Sequence, residues 1–558
     1  MAVSLRHSLR LAVALALATG ALNTIPTASA ATGSAPGKSS ASTPDIPIPD
    51  VKYTRFTLKN GLTVLVHEDH KTPVVAINTW YHVGSKNEKV GKTGFAHLFE
   101  HLMFGGSDNF KKTYLSALQG IGATDLNGTT NQDRTNYFQN VPTSMLDYAL
   151  FAESDRMGHL LGTVDKKTLD LQRGVVQNEK RQGENQPYGV AYELLVNNTY
   201  PAGHPYSWTV IGKMEDLDAA SMTDVQDRVP QSRIYRTWNV PGANTPEEPE
   251  LDLAAAVLGG GKTSRLYKRL VYKDQLATSA VGSNDSSEIG GQFDLTLTAR
   301  PGADVAKMER IADDELKALM KSGPTEAELR LAKTTILARY TRMIERVGGF
   351  GGKSDLLASC QTYTGNPDCY KVYLQRIKDA TPASVKKAMN DWLSTGDFVL
   401  QVDPYPTGLA AIKPAVDRSK EPALGKPMAL KLPEMQKMTL SNGLKVVLAE
   451  RHDAPVVNFQ LMVDSGYASD AADKPGVASL AMRMLEEGTR TRKSLEIGEA
   501  FESIGAQFGA SANLDTGIVY MNTLKATMPQ ALNLYSDLVL NPSFPQNEFA
   551  RLQQDRLA

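Results

Sequence analysis

The sequence predicts an α+β protein assembled from repeated two-layer α/β domains, and three observations carry that prediction. Strand-like and helix-like periodicities alternate along the chain, a nineteen-residue segment recurs far downstream at a fixed offset, and the composition is that of a globular protein, with 41% hydrophobic, 22% charged and 7% aromatic residues. At about 150 residues per domain, 558 residues call for three or four folded units. Lys plus Arg (60) against Asp plus Glu (61) leave a net charge of −1. That balance lacks the cationic excess needed to hold phosphate backbones or anionic lipid, so no nucleic acid partner is expected.

The elements follow in order. Arg6 and Arg10 precede an apolar run over 11–22, and Ala28, Ser29 and Ala30 supply a small-residue cleavage pattern. Residues 1–30 therefore read as a signal peptide, the run being shorter than the ~20 apolar residues that span a bilayer. Its removal takes the net charge from −1 to −3 and implies an exported protein, periplasmic or secreted, with no membrane span afterwards. Residues 31–50, rich in Ala, Ser, Thr, Gly and Pro, are expected as a flexible tether. From Thr57, TLKNGLTVLVHEDHKTPVV returns as TLSNGLKVVLAERHDAPVV from Thr439, with eleven of nineteen positions identical at an offset of 382; the same offset pairs Gly84 with Gly466 and Gly94 with Gly476. Each copy reads as strand, Asn-Gly turn, strand, then a helix after the later glycine.

Between the copies, 251–270 is helical but interrupted by Gly259, Gly260 and Gly261, 291–300 alternates as a strand, and 305–320 and 325–346 are amphipathic helices. Cys360 and Cys369 flank turn residues Gly365, Asn366 and Pro367 without a nearby histidine. In an oxidising compartment they are expected as a disulfide worth about 2–3 kcal/mol. Prolines then recur from Pro404 to Pro433 as periodicity is lost. The expected domains are 51–227, 228–416, a linker over 417–435, and a partial repeat of the first domain over 436–558.

The chemistry concentrates in GFAHLFEHLMFGG. His97 and His101, at i and i+4 of a helical pattern, project from one face and can converge on one ion, and Glu100 stands where a base would take a proton from water. The bare spacing also fits two solvated helix histidines. Zinc needs a further protein ligand. Leu171, Val175 and Glu179 fall at i, i+4 and i+8 on one stripe, and a carboxylate on an apolar stripe must be paired or bind a metal. Glu179 is the candidate and Glu184 the reserve, the alternative for Glu179 being an acid that reaches solvent.

HLFEH at 97–101, MFGGS at 103–107, NGTTNQDRTNYF at 127–138 and VVQNEKRQ at 175–182 resemble the insulinase/pitrilysin family of inverted-motif zinc peptidases. The resemblance implies one zinc ion held by His97, His101 and Glu179, with Glu100 as the general base. It also implies two related halves, each of two α/β domains, closing as a clamshell on an unfolded peptide. Asn127, Gly128 and Thr129 match the family's strand beside the metal, whose backbone pairs with substrate. GGGKTSRL at 259–266 resembles the glycine-rich helix start of the family's second domain, read either as close backbone approach or as a helix kink.

Two departures stand out. In the second copy His97, Glu100 and His101 become Ser479, Met482 and Arg483, so that copy is expected to be inactive, and the partner of Glu179 would fall at 561, beyond Ala558. Around Ser221 and Thr223 the run is too short for the strand and helix that close the family's first domain, so a shortened form with an incomplete second half is expected. The function implied is a zinc-dependent endopeptidase acting on unfolded peptides. The alternative is a non-catalytic binding or assembly subunit that keeps the fold. A second half-chain or a homo-oligomer is the protein partner the incomplete half would call for.

Overall fold

The computed structural model describes residues 46–70, 72–213, 231–394, 396–403, 435–450 and 454–557. The expected signal peptide, most of the tether, the closing segment near Ser221 and nearly all of the proline-rich linker lie outside the described residues. The chain divides into two compact units, one of 48–329 with 343–427, the other of 1–47, 330–342 and 428–558.

The first unit begins with the hairpin β1 (Thr54–Thr57) and β2 (Thr63–Val66), closed by the expected Asn-Gly turn in which Gly61 takes φ 91°. The predicted copy omitted a third strand. β3 (Val74–Tyr81) pairs not with the hairpin but with β5, giving a sheet of order β3-β5-β4, where β4 is Thr124–Thr130 and β5 is Thr135–Pro142. Helices α1 (Phe95–Leu102) and α2 (Tyr114–Gly120) precede β4. After β5 come α3 (Leu146–His159), α4 (Lys166–Glu184) and α5 (Gly189–Thr199). Tyr114 and Leu118 of α2, Val141 of β5, and Ala149 and Ala152 of α3 form the core beneath the sheet.

The unit continues with β6 (Arg233–Val240), α6 (Glu248–Gly259), a π-helical segment (Tyr267–Lys273), β7 (Ala277–Ser286), β8 (Gly291–Ala299) and α7 (Val305–Ser322). Then follow α8 (Glu326–Met343), whose residues 330–342 belong to the other unit, α9 (Lys353–Thr364), α10 (Cys369–Asp379), α11 (Pro382–Trp392) and β9 (Phe398–Val402). The second sheet runs β7-β8-β6-β9. Of the two readings of the glycine-rich stretch, close approach is realised at Gly259, where a Cβ would stand 2.0 Å from the Gly282 nitrogen of β7. Cys360 and Cys369 form a disulfide joining α9 to α10, with Cα atoms 5.3 Å apart. The tether expected over 31–50 is not free to its end, because Asp50 pairs with Lys371 of α10 at 2.5 Å.

In the other unit the described elements are β10 (Met435–Thr439), β11 (Lys445–Ala449), β12 (Val456–Val463), α12 (Val477–Met484), α13 (Ser494–Ser503), β13 (Gln507–Ala512), β14 (Gly517–Leu524), α14 (Met528–Leu540) and α15 (Gln546–Leu557). Strand order β12-β14-β13 repeats β3-β5-β4, and the offset of 382 carries β5 onto β14 and the start of α3 onto that of α14 without a gap. The repeat thus extends well past the segment in which identity is visible.

Candidate metal centre

α1 starts at Gly94, whose φ of 88° is a left-handed conformation that favours glycine. The Glu88 carboxylate closes that helix end, accepting from the Gly94 N–H (3.0 Å) and the Ala96 N–H (2.7 Å), where an anion complements the helix dipole. The Trp208 indole N–H donates to the same carboxylate at 3.2 Å. Leu98 of α1 packs against Val176 of α4 in a small cluster with Leu169 and Ile211. Glu179 follows Val176 by three residues, so this contact brings it to the histidines.

The result is a three-residue cluster. His97 Nε2 and His101 Nε2 are 3.2 Å apart, and Glu179 Oε2 lies 3.7 Å from the first and 3.3 Å from the second. Ligands at about 2.0–2.1 Å in a tetrahedral zinc site stand roughly 3.3–3.4 Å from one another, so these spacings fit that ion. Burial and the neighbouring His101 push His97 down to about 4, which keeps its imidazole neutral and its lone pair free for a cation. Among the described residues this is the group of His, Cys, Asp and Glu side chains that converges on one point.

Glu179 arrives there by a different route from the stripe argument. Leu171 is 63% exposed and the Glu179 side chain 42%, whereas the buried face of α4 carries Val176, Lys180 and Glu184. That face tolerates charge because Lys180 pairs with Glu184 (2.9 Å) and with Glu193 of α5 (2.7 Å). Glu184, the reserve ligand, is thereby committed to an ion pair.

Glu100 is buried on the inner side of α1, and its Oε2 accepts a hydrogen bond from the Thr130 hydroxyl of β4 at 2.6 Å. Burial raises its proton affinity, while the Thr130 hydrogen bond and the Arg134 charge oppose that shift. Arg134 is held over the Trp80 ring, 5.0 Å from its centroid, and donates to the Thr129 carbonyl at 2.9 Å. Tyr137 of β5 donates to the Glu100 carbonyl at 3.4 Å.

Asn127, Gly128 and Thr129 lie on β4, an edge strand among the described residues. Asn131 donates to the Arg134 carbonyl at the hairpin end, and alternation along an antiparallel ladder then makes Thr129 with Asn136, and Asn127 with Phe138, the bonded pairs. Gly128 and Thr130 are left with their N–H and C=O toward the open edge. A side chain at 128 has no room, since a Cβ would stand 2.7 Å from the Phe104 ring.

The sequence reading did not single out Glu88, Thr130 or Arg134. For Glu88 a signal existed, because the offset of 382 pairs it with Asp470, which caps Gly476 (2.7 Å) and Ala478 (2.8 Å) in the second copy. In that copy the position of Glu100 is filled by Met482, buried in a cluster with Leu485, Phe501, Val519 and Met521.

Comparison with known proteins gives a consistent result. The chain matches the family described as Insulinase (Peptidase family M16) over 63–209 and again over 445–557, and the Peptidase M16 inactive domain over 213–336. It is 26% identical over 367 residues to the zinc protease PqqE of Helicobacter pylori, covering 54% of this chain and 82% of that one. To the protein named uncharacterized zinc protease YmxG of Bacillus subtilis it is 28% identical over 365 residues, covering 54% and 88%. Among solved structures, a protease from Helicobacter pylori superposes with a TM-score of 0.56 at 24% identity, over 64% of this chain and all of that one. The periplasmic protease PqqL from Escherichia coli superposes at 0.50 and 15% identity, over 91% and 68%. At these identities the two superpositions speak for the α+β fold alone.

Proposed function

This chain belongs to the insulinase family of peptidases (M16), and from that premise we propose that it is a zinc-dependent endopeptidase acting on unfolded peptides. The observation that carries the proposal is the convergence of His97, His101 and Glu179 at tetrahedral spacing, with Glu100 buried alongside on the same helix. When bound there, zinc supplies a Lewis acid for the scissile carbonyl and acidifies a water.

The remaining work falls to the chain's own groups. Glu100, with Oε2 held by Thr130, takes the proton of the attacking water on its other oxygen and returns it to the leaving amine. The raised proton affinity of its carboxyl suits a group that must hold that proton between the two events. β4 offers the Gly128 and Thr130 backbone groups to an extended substrate, which adds as a further strand; a segment already paired in its own fold has no free edge to give. Arg134 braces that strand at Thr129.

Arg6, Arg10 and the following apolar run support export to the periplasm or the exterior, as does the Cys360–Cys369 disulfide, which an oxidising compartment maintains. Among the described residues no helix is long and apolar enough to cross a membrane. The rival reading, a non-catalytic binding or assembly subunit, draws on Ser479, Met482 and Arg483; the retained His97, Glu100, His101 and Glu179 favour catalysis in the first copy. A second half-chain or a homo-oligomer as partner would appear as activity gained on mixing or with concentration.

The test is metal content measured alongside hydrolysis of an unstructured peptide, before and after chelation. Cleavage should vanish with the chelator, and Glu100→Gln should retain zinc while losing about 10²–10⁴-fold in rate. Stoichiometric zinc without chelator-sensitive cleavage, or a Glu100→Gln variant as fast as the parent, defeats the proposal.

A further inference from the structure

The chain contains three Asn-Gly dipeptides, at Asn60, Asn127 and Asn442. A glycine after asparagine carries no Cβ to shield its peptide nitrogen, so that nitrogen can attack the preceding side-chain carbonyl wherever the local geometry brings the two together. In both hairpin turns the geometry keeps them occupied elsewhere. Gly61 N–H donates to the Leu58 carbonyl and Gly443 N–H to the Leu440 carbonyl, each at 2.9 Å. The side-chain carbonyls reach past them, Asn60 Oδ1 accepting from the Leu62 N–H (3.1 Å) and Asn442 Oδ1 from the Leu444 N–H (3.0 Å).

At Asn127 the peptide N–H and the side-chain carbonyl are instead bonded to one another. The Gly128 N–H, left unused by the β4–β5 ladder, donates to the Asn127 Oδ1 at 2.9 Å. Asn127 is exposed to water, and the strand is already irregular just before it, with a register shift between Thr124 and Asn127 and a φ of 49° at Asp125.

We propose that Asn127–Gly128 is a self-modification site that inactivates the substrate strand. The Gly128 nitrogen attacks Asn127 Cγ and gives its proton to solvent base. The new C–N bond closes a succinimide, the side-chain nitrogen takes up a proton and leaves as ammonia, and water then opens the ring at either carbonyl to aspartate or isoaspartate. Isoaspartate adds a methylene to the backbone path and shifts the spacing of the outward-facing Gly128 and Thr130 groups. Either product places a new carboxylate on the strand whose Thr130 holds Glu100. The chemistry stands on the geometry at Asn127; the loss of activity rests on the reading of β4 as the substrate edge.

The experiment ages the full zinc-loaded chain at mildly alkaline pH. It quantifies aspartate and isoaspartate at all three dipeptides by peptide mapping, and follows cleavage of an unstructured peptide on the same samples. Conversion at Asn127 should run several-fold faster than at Asn60 or Asn442, activity should fall in step with it, and a non-cleavable extended peptide should slow conversion at Asn127 alone. Equal or faster conversion at Asn60 or Asn442, or none at Asn127, overturns the proposal. Conversion at Asn127 with activity unchanged overturns the inactivation and, with it, the edge-strand reading, while the succinimide chemistry stands.

Discussion

Glu153 and Arg156, three residues apart on α3, form an ion pair at 2.6 Å with side chains only 4% and 3% exposed. The carboxylate also accepts from Gln139 Nε2 (2.9 Å), from the Thr79 hydroxyl (3.2 Å) and from the Tyr114 hydroxyl. The guanidinium lies 4.0 Å from the ring centroids of both Tyr114 and Tyr137. Replacing Arg156 by Leu leaves that carboxylate buried without its counter-charge, at about 3–5 kcal/mol, and forfeits two ring contacts of about 0.5–2 kcal/mol each. Because these contributions overlap, the net loss should be about 4 kcal/mol, a large part of the roughly 5–15 kcal/mol that holds a domain folded. Adding Glu153→Gln removes the stranded charge and should recover about 2 kcal/mol. The fold has its own uncharged solution at this place, since the same positions in the second copy are Tyr535 and Leu538, both buried. Urea unfolding followed by tryptophan fluorescence reads the effect directly, because Trp80, Trp208, Trp238 and Trp392 all lie in the unit that contains the pair. A cost below about 1 kcal/mol for Arg156→Leu, or a double variant no better than the single, would refute the assignment of this cluster as a coupled buried pair.

Other perturbations test other parts of the structure. Glu179→Ala should weaken zinc binding by more than the ~10–100-fold typical of outer-sphere losses, measured by competition with a chromophoric chelator; unchanged affinity would place the ion elsewhere. Replacing both Cys360 and Cys369 by Ser should lower stability by about 2–3 kcal/mol, seen as a lower urea midpoint that reductant no longer affects. Burial pushes Asp294 of β8 up to about 6, with Asp285 adding to the shift and the Thr237 hydroxyl opposing it. The folded chain therefore holds this proton more tightly than the unfolded one, with its ordinary value of 3.8, so the associated stability is full below about pH 4 and lost as pH climbs through about 6. Asp294→Asn should flatten that decline by about 1–3 kcal/mol, and parallel pH profiles for parent and variant would contradict it.

The repeat and the helix bearing His97 and His101 were legible because both rest on local chemistry: an Asn-Gly turn, a left-handed glycine before a helix, and spacing along one face. β3 was missed because its pairing is with β5, some sixty residues away, and nothing local announces that partner. Glu179 stands beside the two histidines for a reason other than the stripe. The apolar spacing in the sequence runs through Leu171 and Val175, whereas the buried face is one position on and includes Lys180, tolerated because Glu184 and Glu193 neutralise it. A pattern argument treats charged residues as solvent-facing and cannot see a pair completed from the next helix. Thr130 and Arg134 reach Glu100 and the edge strand through the tertiary packing of α1 beside β4, which spacing does not encode. Glu88 was within reach, since an acid recurs at the same offset ahead of both glycine-started helices.

Met482 limits what the second copy can hold at the position of Glu100. A carboxylate placed there would enter hydrocarbon among Leu485, Phe501, Val519 and Met521, at several kcal/mol, with Ala512 and Thr516 standing where the first copy has the Thr130 hydroxyl and the Arg134 charge that face Glu100. A single change at Met482 is therefore uphill unless a polar partner is built beside it. The same place in the fold thus accepts a buried acid in one copy, beside a hydroxyl and a guanidinium, and excludes it by apolar packing in the other.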